Sequence, residues 1–127
     1  MQARLVGGSN ELEGTVEVHY NGTWGTICGG TKWDILAADV ICKMLGHKRA
    51  ISAPPDAHFG RGTGEIILGN VYCKGTETNI GYCNHDPYGK PNRKCSSHSD
   101  DAGVVCSSGL VQFHFRFTHV TFLLMLV

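Results

Sequence analysis

Six cysteines constrain the fold of this 127-residue chain more than any other feature. They are Cys28, Cys42, Cys73, Cys83, Cys95 and Cys106. Successive cysteines are 10 to 31 residues apart and no C-x-x-C pair occurs, whereas a structural zinc site usually takes two thiolates from one tight turn. The spacing therefore indicates disulfide bonds, which persist in oxidising surroundings and predict an extracellular or secretory-pathway protein. The even number also leaves no spare thiol for nucleophilic catalysis.

The alternative is a zinc site that combines cysteine with histidine. Cys83 lies two residues before His85, and Cys95 lies three residues before His98. Neither segment contains the close pair of thiolates that zinc sites use. The disulfide framework is therefore the favoured prediction.

Composition narrows the fold class and the possible partners. The chain has 11 Lys and Arg against 11 Asp and Glu, so it lacks the basic excess typical of proteins that bind a phosphate backbone, and nucleic acid is not expected as a partner. Glycine occurs 17 times, about twice its ordinary share, which favours turns over long helices. The length suits one domain with one core.

Local patterns predict a β-hairpin near the start of the chain. Residues 15–20 alternate polar and apolar side chains, Asn21-Gly22 has the composition of a two-residue turn, and residues 23–28 form the returning strand. The turn also begins the sequence Asn21-Gly22-Thr23, so Asn21 is a candidate N-glycosylation site. Trp24 in the returning strand and Trp33 beyond it are predicted to be packing anchors rather than a platform for a ligand.

A helix and further short strands are predicted after the hairpin. Apolar residues at positions 36, 37, 40, 41, 44 and 45 share one helical face. Asp34 is placed to cap the start of this helix and Gly46 to end it. Short strands are predicted at 65–68, 70–73 and 102–106, with loops at 60–64 and 86–92. The sum is a small α+β domain.

The composition changes abruptly after residue 106, which predicts a domain over residues 4–107. Residues 108–127 are largely apolar, but only 122–127 are free of polar interruptions, short of the roughly 20 apolar residues that span a bilayer. The start of a membrane anchor, a strand-like tail and sequence foreign to the domain are the three interpretations. The first residues lack a secretion-signal pattern, so a fragment or a missing leader is expected.

Six short motifs follow one another along residues 4–107. They are Arg4-Leu5-Val6-Gly7-Gly8, Gly14-Thr15-Val16-Glu17-Val18, Trp24-Gly25-Thr26-Ile27-Cys28, Val40-Ile41-Cys42-Lys43-Met44-Leu45-Gly46, Gly75-Thr76-Glu77 and Asp101-Ala102-Gly103-Val104-Val105-Cys106. In this order and near this spacing they resemble the scavenger receptor cysteine-rich (SRCR) domain family. The resemblance implies a curved antiparallel sheet that cradles one main α-helix. It also implies the six-cysteine type, because the extra pair of the eight-cysteine type, near Leu12 and at His47, is absent.

The disulfide pairing rests on this resemblance. Six cysteines allow about 15 pairings, and spacing does not choose among them. The resemblance implies three bonds, which are Cys28 with Cys95, Cys42 with Cys106, and Cys73 with Cys83. The helix would then be bonded to the last strand, and the C-terminal loop to the first hairpin.

No sequence motif for catalysis is present. The chain lacks Gly-x-Ser-x-Gly, His-Glu-x-x-His and a phosphate-binding glycine loop. A hydrolytic site built from Ser96, a histidine and Asp100-Asp101 is the alternative, and solvated surface histidines are the simpler interpretation. The chain is predicted not to be an enzyme.

Two basic stretches are the candidate ligand-binding surface. Their residues are Lys43, Lys48, Arg49 and Arg61 in the first and Lys90, Arg93 and Lys94 in the second. A charged loop that only solubilises the protein is the competing interpretation. SRCR domains bind polyanions, microbial surface polymers or proteins, so the resemblance implies an extracellular or cell-surface module for such a ligand. The alternative is a structural or adhesion module of a larger mosaic protein, with a membrane as partner only if the tail belongs to an anchor.

The resemblance to SRCR domains makes calcium the one cofactor to consider. Many SRCR domains bind it through an acidic pair after the first shared cysteine, an acidic residue before Asn70, and the position of Asp100. Here Gly29-Gly30 and Gly69 replace the first three carboxylates. Asp100 remains, with Asn70 and Asp101 beside matching positions. Because calcium takes about six to eight oxygens and depends on carboxylates for affinity, no cofactor is expected and any calcium site should be weak or empty.

Overall fold

The predicted hairpin is present in the computed structural model, which describes residues 1–91 and 95–108. Its strands are β2 (Glu13–Tyr20) and β3 (Thr23–Cys28), paired antiparallel. Between them, Asn21 and Gly22 have φ angles of 52° and 83°. A type I′ turn needs positive φ at both positions, which is why Asn-Gly favours it.

The other strands complete one mixed sheet. They are β1 (Gln2–Gly7), β4 (Arg49–Ser52), β5 (Glu65–Gly69) and β6 (Gly103–Ser107). In the described chain the hydrogen-bonded path runs β4–β6–β2–β3–β5, and β1 pairs with β2 beside this path. The α+β class is confirmed, with one difference from the expected antiparallel sheet, since β3 and β5 are parallel. A parallel pair needs a long crossover, and the helix and β4 lie between these two strands in the chain.

The sheet divides at β2. Strand β1 pairs along one edge of β2, while the other edge pairs with β6 at residues 13–15 and with β3 at residues 17–20. Strands β6 and β3 therefore pair with different segments of the same edge of β2. From there the sheet continues through β6 to β4 and through β3 to β5. This branching gives the sheet its curvature around the helix.

Helix α1 (Ile35–Met44) occupies the predicted position. Asp34 caps its start, since Oδ1 accepts hydrogen bonds from the N–H groups of Leu36 at 3.0 Å and Ala37 at 3.2 Å. Gly46, with a φ of 85°, follows the end of the helix. Leu36 was expected on the buried face but is 42% exposed, because the face that packs on the sheet is formed by other residues, which are Ala37, Ala38, Val40, Ile41 and Cys42.

Three disulfide bonds connect these elements. They are Cys28–Cys95, Cys42–Cys106 and Cys73–Cys83, the same pairs that the family resemblance implies. All six cysteines are buried. The zinc alternative is wrong, because both cysteines that it required are bonded to other cysteines.

Several sequence predictions about the limits of elements are corrected. Residues 70–73 do not form a strand, since Asn70 has a positive φ of 54° and Tyr72 makes only an isolated bridge with Asn84. Strands β1 and β4 were not predicted, because β4 has only four residues and neither strand has a deeply buried face. Strand β1 begins at Gln2, before the expected boundary at residue 4.

The C-terminal tail beyond Ser108 lies outside the described residues, so its three interpretations stay predictions. Of the helices that the structure describes, none has the length and apolar character to cross a membrane.

The two tryptophans occupy different environments. Trp33 is 7% exposed and belongs to the core, where its indole N–H donates to the Gly103 carbonyl at 2.9 Å. Trp24 is half-buried outside the core. The guanidinium carbon of Arg4 lies 4.1 Å from its ring centre, and the same guanidinium contacts Glu17 at 2.7 Å. The expected packing role holds for Trp33, whereas Trp24 is part of a partly exposed stack.

We expect Trp33→Ala to destabilise the fold far more than Trp24→Ala. Loss of the buried indole leaves a cavity and an unpaired Gly103 carbonyl, at a cost of about 3–5 kcal/mol. Loss of the exposed stack costs about 1 kcal/mol. Urea denaturation of both variants measures the difference, and equal losses would contradict the core assignment.

The disulfides should contribute unequally to stability. Cys42–Cys106 closes a loop with a sequence separation of 64, and Cys73–Cys83 one of 10. Because the longer loop restricts the unfolded chain more, we expect Cys42→Ala/Cys106→Ala to cost about 4 kcal/mol and Cys73→Ala/Cys83→Ala about 3 kcal/mol. Guanidinium denaturation tests this order, and a larger loss for the shorter loop would reverse it.

Candidate functional site

A cleft of about 390 Å³ opens beside the end of β3. The Cys28–Cys95 disulfide and the loop 29–32 form part of its wall. The loop is held in place by the Gly29 N–H, which donates to the Asp100 carbonyl at 2.7 Å. The polar side chains that line the cleft are those of Thr31, Lys32, Asp56, Asn70 and Asp100. This is the place where the family resemblance puts calcium.

Asp56 lines the cleft together with Asp100, and the sequence analysis did not include it among the candidate residues. The two are far apart in the chain, but the Ala57 N–H donates to the Asp101 carbonyl at 2.9 Å. That bond ties the loop carrying Asp56 to the segment carrying Asp100. Asp56 also has a positive φ of 58°, and no local sequence signal predicts this long-range contact.

Asp101, the sequence neighbour of Asp100, does not line this cleft. Its side chain is 1% exposed, and Oδ2 accepts a hydrogen bond from the Gly62 N–H at 2.7 Å and lies 2.9 Å from His98 Nδ1. His98 Nε2 lies 2.7 Å from the Gly64 carbonyl oxygen. Asp101 and His98 therefore form an internal tie to the loop 62–64, and His98 is not placed to activate Ser96.

The residues of the cleft do not fit a calcium ion. Two carboxylates and one amide line it, together with the ammonium group of Lys32. Calcium takes about six to eight oxygens and loses affinity as carboxylates are removed, and the lysine adds electrostatic repulsion. Elsewhere in the described residues, three ligand-type atoms lie within 4.8 Å of one another only at Cys73, Glu77 and Cys83. Those cysteines are bonded to each other, so they cannot bind metal as thiolates.

Three of the predicted ligand-binding residues share one corner of the fold. Lys43 lies in the last turn of α1, and Lys48 and Arg49 lie where the chain enters β4, at one end of the sheet path. All three are exposed. Lys43 Nζ is 3.4 Å from Asp39 Oδ2, while Asp39 Oδ1 accepts the Ala50 N–H at 2.7 Å. We call Lys43, Lys48 and Arg49 the α1–β4 corner.

The other predicted ligand-binding residues lie elsewhere. Lys90 is exposed in a loop that packs on β5 at the opposite end of the path, through the Gly89 N–H to the Ile67 carbonyl at 2.9 Å. Arg61 is exposed beside Gly62, in the loop tied to Asp101. Arg93 and Lys94 lie outside the described residues. The described residues of the two basic stretches therefore do not share one surface. Asn21, the candidate glycosylation site, is exposed at the hairpin turn.

Comparison with known sequences decides the family. The sequence model of the scavenger receptor cysteine-rich domain matches residues 6–107. The chain belongs to the SRCR family. It is 47% identical over 105 residues to macrophage scavenger receptor types I and II of Mus musculus, covering 83% of this chain and 22% of that protein. It is 42% identical over 111 residues to galectin-3-binding protein of Mus musculus, covering 87% of this chain and 18% of that protein. The chain thus spans about a fifth of the length of these relatives.

Solved SRCR domains have the same fold. The third SRCR domain of murine neurotrypsin matches with a TM-score of 0.70 and 45% identity, covering 82% of this chain and 94% of that one. The SRCR domain of mouse MARCO, solved in a dimeric form, matches with a TM-score of 0.67 and 44% identity over 82% of this chain and 93% of that one. SRCR domains occur in extracellular or cell-surface proteins, and this SRCR domain is accordingly an extracellular or cell-surface module.

We expect this SRCR domain to show no calcium binding below about 1 mM, the weak end of the range for extracellular sites. Gly30→Asp/Lys32→Asp should improve affinity, because it replaces a cation by two carboxylates. The added Cβ of residue 30 meets open space, and aspartate is among the residues that adopt a positive φ such as the 53° found there, at some cost in stability. Lys32→Ala is the control for simple removal of the lysine. Calorimetric titration measures all three, and submillimolar binding by the unaltered domain that Asp100→Ala abolishes would contradict the poor fit.

Proposed function

We propose that this SRCR domain is a non-catalytic recognition module that binds a polyanionic ligand, such as a microbial surface polymer or an acidic protein, through the α1–β4 corner. The supporting observation is that Lys43, Lys48 and Arg49 are exposed together where α1 ends and β4 begins. An exposed cluster of this kind presents positive charge to a large ligand without a pocket.

The charges of the corner are available to a ligand at little cost. Within the described residues, the one ion pair at the corner joins Lys43 to Asp39, at 3.4 Å and with half of the lysine side chain exposed. An exposed pair of this kind contributes little to stability. Asp39 is also fixed by the Ala50 N–H, so Lys43 can turn to an incoming anion while Asp39 keeps a partner.

The second basic stretch extends the proposal. Lys90 is exposed at the other end of the sheet path, and Arg93 and Lys94 follow it in sequence. A long polyanion can contact both stretches, whereas a small one contacts only one. Arg61 is a third point of positive charge, and we expect it to act with whichever stretch the ligand reaches.

The relatives support a binding role over catalysis. One relative is named a scavenger receptor and another a galectin-binding protein. His98 contacts Asp101 through Nδ1, but its Nε2 lies 2.7 Å from the Gly64 carbonyl oxygen, so Nε2 donates to that carbonyl and is not free to take a proton from a serine. A structural or adhesion module is the alternative, and it predicts no affinity of the isolated domain for charged polymers.

Charge reversal at the corner tests the proposal. We expect Lys48→Glu/Arg49→Glu to weaken binding of dextran sulfate and of heparin by about tenfold or more, because two charge contacts become repulsive. Lys32→Glu/Lys74→Glu is the matched control, with the same change in net charge on another surface. Surface plasmon resonance measures the affinities, and raising salt to about 0.5 M should weaken binding of the unaltered domain.

Two results would contradict the proposal. Equal losses in the corner variant and in the control would show that only net charge matters. Absence of binding to either polymer would favour the structural or adhesion module. A triple charge-reversal variant at Lys90, Arg93 and Lys94 shows whether the second basic stretch contributes to binding of the polymers.

A further inference from the structure

A row of connected clefts runs along one surface, away from the α1–β4 corner. One cleft, of about 350 Å³, lies between Tyr72 and Tyr82. The next, of about 360 Å³, shares Tyr72 and Asn84 with the first. It also shares Lys32 and Asn70 with the cleft beside β3. Because neighbouring clefts have residues in common, they form one groove, which we call the tyrosine groove.

The Cys73–Cys83 disulfide holds together the two chain segments that carry the tyrosines. Tyr72 and Tyr82 each directly precede one of the bonded cysteines, whose Cα atoms are 4.8 Å apart. The backbone N–H groups and carbonyls of Tyr72 and Asn84 also bond to each other at 2.8 and 3.0 Å. Even so, Tyr72 is 54% exposed and Tyr82 75% exposed. Two large rings are thus held at the surface on a rigid backbone, which lowers the entropic cost of binding a ligand.

We propose that the tyrosine groove binds a linear, uncharged oligosaccharide. The C–H face of a sugar ring packs on the negative face of an aromatic ring, and the phenol hydroxyls add hydrogen bonds. The amide groups of Asn70 and Asn84 and the hydroxyl of Thr76 supply both donors and acceptors along the groove. Sugar hydroxyls need this mixture, because each one is both a donor and an acceptor.

A peptide ligand fits this groove less well. Peptides that add to a sheet need free backbone N–H and carbonyl groups, but Tyr72 and Asn84 already satisfy each other. Peptides that dock by side chains need an apolar pocket for an anchor residue. Among the described residues, no aliphatic side chain lines any of the three clefts.

A polyanion also fits poorly, because acidic side chains outnumber basic ones among the described residues that line the groove. Lys32 and Lys74 face the carboxylates of Asp56, Glu77, Asp86 and Asp100. The Lys74 N–H donates to Glu77 at 2.9 Å, and this bond above all lowers the pKa of Glu77. Glu77 therefore remains charged in mildly acidic solution, and its carboxylate is engaged by the turn. The groove thus differs from the α1–β4 corner in both position and ligand chemistry, and goes beyond the proposed function.

The test is binding of the full chain to neutral hexasaccharides. The probes are cellohexaose, maltohexaose, laminarihexaose, mannohexaose and chitohexaose, titrated by calorimetry, with a heparin hexasaccharide and an oligopeptide library for comparison. We expect at least one neutral probe to bind, and Tyr72→Ala/Tyr82→Ala to weaken that binding by about tenfold or more. Salt should have no effect, because no charge is neutralised. Lys48→Glu/Arg49→Glu should also leave it unchanged, whatever its effect on polyanions.

The matched control is Tyr20→Ala, which removes another exposed tyrosine, one that stacks on Tyr88 outside the groove-lining set. Circular dichroism checks that each variant is folded, and Tyr82→Ser alone provides a milder change at the most exposed ring. The proposal is overturned if no neutral probe binds with a Kd below about 1 mM. Equal loss in Tyr20→Ala, or binding of the peptides alone, would overturn it as well.

Discussion

The bond between Cys42 and Cys106 is the constraint on which the arrangement of the helix and the sheet depends. It joins the buried face of α1 to β6 inside the sheet path, and both cysteines are almost completely inaccessible. That face is made largely of small residues such as Ala37 and Ala38, which bury little apolar area. A single ten-residue helix on a curved sheet is therefore a modest core, and the covalent bond compensates by restricting the unfolded chain.

Each disulfide also determines a surface. Cys28–Cys95 forms part of the wall of the cleft beside β3, and Cys73–Cys83 holds together the segments that bring Tyr72 and Tyr82 to one cleft. The loops that carry these side chains are long and irregular, and covalent bonds replace the packing that would otherwise order them. Surface side chains can then differ between members of such a fold without loss of the scaffold, which is why fold alone does not specify the ligand.

The surfaces of the molecule differ in local charge, although its formal net charge is zero. The α1–β4 corner is basic, while the cleft beside β3 combines Asp56 and Asp100 with Lys32. A lysine beside two carboxylates removes much of the field that would attract a divalent cation. Recognition of an anion at the corner is therefore expected to be independent of calcium, and the tyrosine groove to be insensitive to salt.

The sequence by itself determined the features that depend on near neighbours. The Asn21-Gly22 turn needs positive φ at two positions, Asp34 caps the next helix with its own side chain, and the cysteine spacing excludes zinc pairs; family motifs then implied which cysteines bond. The tertiary structure decided what depends on distant contacts. The parallel pairing of β3 with β5, the exposure of Leu36, the arrival of Asp56 beside Asp100 and the withdrawal of Asp101 into its contact with His98 all arise where segments far apart in the chain meet. Local preferences do not encode such meetings, because they depend on how the curved sheet and its three disulfides bring the loops together.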